Sequence, residues 1–248
     1  MYCTLPYQRT SSSWFSRIST PSSSHLAAQL STVSPSRSRG SKTILTGCDP
    51  ETLYTYSAQK WLWDERAQLQ RRYIQFNLDV LIRIAEEAAG QGHDADAVCV
   101  NLTKLPGGNF NKTFLATMRD GKQLIVKIPN TNAGPVHYTT ASEVATMQIV
   151  REHLDIPVPK VLGYCSMASK TPLGAEYIVM EKAPGVELAR VWESLKGRQK
   201  LSIVNQIAGI GCALAQCHGA LYRRQDVSLA ESIVFDDDFA IGPTVGRA

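Results

Sequence analysis

The chain lacks several things. No apolar run in its 248 residues approaches the ~18 that a membrane-spanning helix needs, so no transmembrane segment is expected. None of the cysteines, at positions 3, 48, 99, 165, 212 and 217, stands in C-x-x-C spacing, which removes the zinc-knuckle and dithiol redox patterns. Cys212 and Cys217 lie in a helical pattern at a spacing that points them to different faces, so all six read as free thiols of a reducing compartment. Acid is missing altogether from Met1 to Cys48, where Arg9, Arg17, Arg37, Arg39 and Lys42 stand alone. These five exceed the net charge of +4, so the body is near neutral and offers no basic folded face for nucleic acid. With 44% hydrophobic and 19% charged residues, a collagen, a coiled coil or a small disulfide scaffold is excluded. At roughly 100 to 200 residues per domain, the length allows one large domain or two small ones plus a tail.

The acid-free segment is dense in serine (Ser11 to Ser13, Ser22 to Ser24, Ser34, Ser36, Ser38). Basic, serine-rich and acid-poor is the composition of a mitochondrial transit peptide, with Trp14, Phe15, Arg17 and Ile18 forming a small amphipathic patch if helical. A secretory signal would need a continuous apolar core. The alternative is a serine-rich linker, because such a composition buries too little surface to offset ordering. Residues 1–48 are therefore expected to lie outside the fold and to address the chain to the mitochondrial import machinery.

After Asp49 acids appear, with Trp61, Trp63, Tyr73 and Phe76. Residues 49–97 read as an N-terminal helical extension: Asn77 is a good N-cap, Leu78, Leu81, Ile82 and Ala85 recur at helical spacing, and Gly90 closes the run. Val98, Val100 and Leu102 then alternate with polar residues, the Gly107-Gly108 turn intervenes, and Asp120-Gly121 joins Phe110–Met118 to Leu124–Ile128 as a hairpin. Helical spacing returns over Thr140–Leu154 and stops before Pro157 and Pro159. Strands over Lys160–Cys165 and Ala175–Met180 follow, then an all-helical end whose longest element is Leu201–His218. The expected fold class is α+β, with a five-stranded antiparallel sheet plus one helix over residues 98–185 and a partial helical lobe over 186–248.

Three features of the middle segment carry chemistry. Between two antiparallel strands, Gly107 and Gly108 let backbone N–H groups approach a phosphate without a Cβ in the way, though such a sequence also makes an ordinary turn. It is not a Walker A loop, since no Gly-Lys-Ser/Thr follows. Lys127 falls on the strand face opposite Leu124, Val126 and Ile128. Glu143 shares a helix stripe with Met147, Val150 and Leu154, so it either pairs with Lys127 or closes a capping box on Thr140. A glycine loop over phosphates, a third-strand lysine on them and a helix glutamate holding the lysine form the nucleotide lobe of a kinase-like phosphotransferase.

Pro157-Val158-Pro159-Lys160-Val161-Leu162 and Met180-Glu181-Lys182-Ala183-Pro184-Gly185 resemble the aminoglycoside phosphotransferase and choline kinase-like superfamily. Arg72-Tyr73 with Phe76-Asn77, Gly107 to Asn111, Ile128-Pro129 with Ala133-Gly134-Pro135, His137 to Met147 and Gly174 to Gly185 are similar, within it, to the fungal altered inheritance of mitochondria protein 9 group. The resemblance covers about Thr52 to Thr244 and implies a protein-kinase-like N-lobe over 98–185. It implies that Gly107, Gly108, Asn109 and Phe110 line the phosphates of ATP, that Lys127 binds them, that Glu143 orients Lys127, and that Met180, Glu181 and Lys182 form the adenine hinge.

The family's His-x-Asp…Asn loop and its Mg²⁺-binding aspartate have no counterpart in the sequence. Asp236-Asp237-Asp238 reads as a solvated turn, because adjacent carboxylates alternate sides. The chain is therefore expected to be a C-terminal truncation without catalytic or metal residues, marginal in stability because the helix from Leu201 lacks its covering lobe. Three functions compete: the ATP-binding lobe of a mitochondrial phosphotransferase, a catalytically dead nucleotide- or partner-binding module, and a non-kinase α+β interaction protein. The acceptor substrate is not legible.

Overall fold

The computed structural model describes residues 44–45 and 50–242, except 57, 59, 91–96, 155, 216–219, 228–232 and 235–237. Nearly all of the transit-like tail, Asp236, Asp237 and the expected helix end near His218 lie outside the described residues.

The N-terminal extension holds three helices, α1 (Pro50–Tyr54), α2 (Glu65–Gln70) and α3 (Leu78–Gly90). The start of α3 is set as its sequence predicts. The Asn77 side-chain oxygen accepts the Val80 N–H at 3.2 Å, and Val80, Leu81 and Ala85 form the buried stripe.

The five expected antiparallel strands are present: β2 (Cys99–Lys104), β3 (Asn111–Met118), β4 (Gln123–Pro129), β5 (Val161–Cys165) and β6 (Tyr177–Glu181). A sixth was not expected. β1 (Ile44–Leu45) pairs in parallel with Asn101 and Leu102, giving the order β1-β2-β3-β4-β6-β5. Backbone pairing thus begins before residue 49, where the sequence placed the start of the fold. The alternation expected of Val98, Val100 and Leu102 also fails, because an irregularity between Cys99 and Asn101 shifts the register. Cys99 and Leu102 become the buried pair. The β3–β4 hairpin turns on Gly121 at φ 87, a conformation that favours glycine, while Asp120 accepts the Lys122 N–H at 2.8 Å.

One sheet face packs on α3 and its flanks. Phe114, Ala116 and Met118 of β3 and Leu124, Val126 and Ile128 of β4 meet Leu53, Phe76, Val80, Leu81 and Ala85. Helix α4 (Tyr138–Glu152) joins β4 to β5 and begins two residues before the expected Thr140.

The C-terminal region corrects the all-helical expectation. After α5 (Leu188–Val191) and α6 (Gly197–Leu214) come β7 (Ala220–Arg223), β8 (Ile233–Val234) and β9 (Phe239–Gly242), an antiparallel sheet in the order β7-β9-β8. Leu221 and Phe239 of that sheet pack on Ala145 and Ile149 of α4. Helix α6, whose sequence is expected to lack a covering lobe, has no buried residue, and Leu201, Val204, Ile207, Ile210 and Leu214 form an exposed apolar row. Its apolar side chains have no covering element among the described residues.

This contrast is measurable. Leu81→Ala, at 0% exposure, should lower unfolding free energy by about 2–5 kcal/mol in urea titration. Ile207→Ala, at 57% exposure, should stay within about 0.5 kcal/mol. Equal losses would mean that α6 is covered in solution.

Candidate functional site

Lys127 sits in the middle of β4, paired across the hairpin with Thr113 and on its other side with Ile178 of β6. Its neighbours in sequence, Val126 and Ile128, point into the α3 core, so the period-two alternation turns Lys127 to the opposite face. There its ammonium donates to the Glu143 carboxylate of α4. The two side chains are 15% and 35% exposed, so the pair remains within reach of a third group. The capping-box alternative for Glu143 does not hold. The helix starts upstream of Thr140, and the Thr140 hydroxyl donates to Glu176 instead.

The start of α4 has an unusual construction. His137, the N-cap residue, has φ 69 and ψ −57, and the Tyr138 N–H donates to the Val136 carbonyl at 2.9 Å. This is a γ-turn in the strained, positive-φ form. The turn is held from several directions. Glu176, 8% exposed, accepts the His137 N–H at 2.7 Å and the Thr140 hydroxyl, placing a carboxylate at the positive end of the helix. The His137 ring bridges Ser166 Oγ, 2.8 Å from Nδ1, and the Asp226 main-chain carbonyl, 2.9 Å from Nε2. A carbonyl only accepts, so Nε2 carries a proton; in the neutral ring Nδ1 then accepts from the Ser166 hydroxyl. Through these bonds α4, and Glu143 with it, is fixed relative to β6 and the C-terminal segment.

The glycine segment is anchored from its outer side by residues that sequence reasoning missed. Three donors converge on the Asn109 carbonyl: Arg72 Nε at 3.1 Å and the side-chain amides of Asn130 and Asn132, each at 3.4 Å. Tyr56 donates its hydroxyl to Asn109 Oδ1 at 3.3 Å, and the Asn130 N–H donates to the Phe110 carbonyl at 2.7 Å. Arg72 is itself immobilised, its guanidinium 4.5 Å from the Trp61 ring centroid and its Nη1 bonded to both oxygens of Gln68. Gly107 and Gly108 have no positive φ. A Cβ on either would meet only ordinary contacts, 3.6 Å to Tyr56 or 4.0 Å to the Asn111 carbonyl. Among the described residues nothing requires glycine there.

Beneath this segment lies Lys112, 2% exposed, on the core face of β3. Its ammonium donates to the Arg72 carbonyl and, at 2.7 Å, to Asn130 Oδ1. Desolvation, and secondarily the charge of Lys104, push its pKa down to about 7. A signal existed in the sequence: stepping back by twos from Phe114 on the buried face arrives at Lys112.

Met180 and Glu181 end β6 and Lys182 follows it, exposed. Met180 pairs with Ile125 of β4 and Val161 of β5, and the Glu181 N–H is engaged with the Lys160 carbonyl at 3.0 Å. Among the described residues no three His, Cys, Asp or Glu side chains are grouped as a metal site.

Three strands, a helix and two strands, with a strand lysine paired to a helix glutamate, define a kinase-like α+β fold. Residues 101–233, more than half of the chain, match the phosphotransferase enzyme family, and the chain belongs to that family. A subtelomeric hrmA-associated cluster protein of Aspergillus fumigatus is 41% identical over 153 residues, covering 60% of this chain and 30% of the relative. A Yarrowia lipolytica protein named altered inheritance of mitochondria protein 9, mitochondrial, is 23% identical over 240 residues, covering 83% and 41%. Its namesake in Debaryomyces hansenii is 27% identical over 180 residues, covering 63% and 28%. The chain thus spans about a third of the length of the relatives it matches.

Buried Lys112 gives a pH signature. The unfolded chain, with an ordinary lysine near 10.5, binds more protons than the native state between about pH 7 and that value, so stability should rise with pH across this window. Below it both states hold the proton and the dependence vanishes. Urea titrations of wild type and Lys112→Met at neutral and alkaline pH check this: the substitution should flatten the rise, and an unchanged profile would place the titration elsewhere.

Proposed function

We propose that this chain is the nucleotide-binding lobe of an ATP-dependent phosphotransferase. The observation that carries the reading is the Lys127–Glu143 pair, seated on the sheet face away from the α3 core. Glu143 holds the ammonium by a charge-assisted hydrogen bond, so that Lys127 can bridge to the α and β phosphates as a preset point charge. Gly107, Gly108, Asn109 and Phe110 lie over those phosphates. That no described residue calls for glycine at 107 and 108 supports close approach of a ligand there. Met180, Glu181 and Lys182 present the main chain to adenine.

ATP supplies the transferable phosphoryl group. The residues of this chain bind and orient it and withdraw charge from it; none described here takes the proton of an acceptor hydroxyl. No His-x-Asp occurs in the sequence, and the Mg²⁺ that such chemistry employs finds no grouped ligands among the described residues. In this reading the part of the 248-residue chain is to bind and orient the nucleotide. A mitochondrial setting is supported by the basic, acid-free segment up to Cys48 and by the printed names of the yeast relatives, while the name of the more similar Aspergillus relative mentions no organelle.

A thermal-shift titration tests the reading. Millimolar ATP should raise the melting temperature by a few degrees, Lys127→Ala should remove the shift, and Gly108→Ala should leave the apo melting temperature in place while weakening it. No shift in wild type, or a shift indifferent to Lys127→Ala, would defeat the proposal.

A further inference from the structure

A second group of cations lies apart from Lys127. In the β3–β4 register Lys127 faces Thr113, the residue next to Lys112, so the two lysines project from opposite faces of the sheet. On the α3 side, Lys112 at 2% exposure and Arg72 at 7% are both buried. Their hydrogen-bond partners are all neutral: Gln68, Asn109, Asn130 and the Arg72 carbonyl. Buried charges ordinarily meet an opposite charge, because neutral partners only partly offset the cost of desolvating an ion. Among the described residues neither cation has a carboxylate partner.

A cleft of about 530 Å³ opens beside this cluster, between the end of α2, Phe110 and the segment after β4. It is lined by Gln68, Arg71, Arg72, Phe110, Thr131 and Asn132, with no acidic side chain. Arg72 has Nε and Nη1 committed, while its Nη2 makes no hydrogen bond among the described residues. Stacked near Trp61 and braced by Gln68, that edge of the guanidinium is held in one orientation. Arg71 is exposed, and its guanidinium makes no contact of hydrogen-bond or ion-pair kind among the described residues. Two adjacent guanidiniums, one rigid and one free to swing, suit a tetrahedral oxyanion with several acceptors more than a single carboxylate. A dianion also offsets more of the charge of the two guanidiniums than a monoanion does. The volume accommodates a small phosphorylated molecule, and Phe110 supplies an apolar wall for its organic part.

We propose that this cleft binds a phosphate monoester, at a site separate from the sheet face that carries Lys127. The site does not depend on the nucleotide reading. Both cations of the cleft come from the N-terminal extension, so the extension and the glycine segment share the ligand's binding energy.

Trp61 provides a reporter, since its ring lies against Arg72. Inorganic phosphate is titrated into the full chain, following tryptophan emission and heat of binding, with chloride at equal ionic strength as control and Trp61→Phe to assign the optical signal. The Trp61 emission change, which reports the cleft, should have the same phosphate dependence in wild type and in Lys127→Ala. Arg71→Glu, a change at an exposed side chain, should keep its melting temperature and bind at least about tenfold more weakly. Absence of binding up to about 10 mM phosphate, an equal response to chloride, or binding lost in Lys127→Ala but kept in Arg71→Glu would overturn the proposal.

Discussion

One ion pair ties the two halves of the molecule's logic together. Lys127 belongs to β4, one of the two middle strands of the six, and Glu143 belongs to the helix that connects β4 to β5. For the pair to form, β4 must present its odd-numbered face away from α3, and α4 must lie along that face at the right axial position. The first condition follows from burying Leu124, Val126 and Ile128. The second depends on the tethering of the helix start by Glu176 and by the His137 ring. A strained backbone turn at His137 persists because these bonds and the packing of Ala145 and Ile149 on the C-terminal sheet over-determine it.

The two sheet faces carry different electrostatic solutions. On one, a cation is matched by a carboxylate and left partly in contact with water. On the other, Arg72 and Lys112 are buried among neutral acceptors and aromatic rings, and Lys112 responds by giving up its proton more readily. The outer anchoring of the glycine segment uses the buried cation of Arg72, so the charge has a structural task even without a ligand. Uncompensated, it also leaves the neighbouring cleft positive.

Much of this was legible in the sequence where periodicity is long. The eight residues of β3 and the seven of β4 reveal which face is buried, and with it the direction of Lys127. The stripe of Glu143, Met147 and Val150 pointed to the side of α4 that meets Lys127, but not to Ala141, Val144, Ala145 and Ile149, which carry most of its burial. Legibility ended where contacts join distant segments. Glu176 reaches the start of α4 from 39 positions away, and Arg72 reaches Asn109 across 37, with no local pattern to announce either. The strands β7 and β9 have four residues each, too short for alternation to separate them from a helical turn, so the C-terminal sheet was read as helix. The irregularity near Cys99 defeated the pattern of β2: Leu102 is buried as alternation expects, but across the register shift Cys99 takes the buried place expected of Val98 and Val100.

The convergence of Arg72, Asn130 and Asn132 on a single carbonyl has a thermodynamic implication for whatever enters beneath the glycine segment. A flap with no such anchors would be ordered by its guest, and the guest's affinity would bear the lost chain entropy. Here the ordering is done by the protein's own donors before any encounter. Occupancy should therefore cost little conformational freedom at Asn109, and calorimetry should find a binding entropy less adverse than that of a chain whose loop closes only upon its ligand.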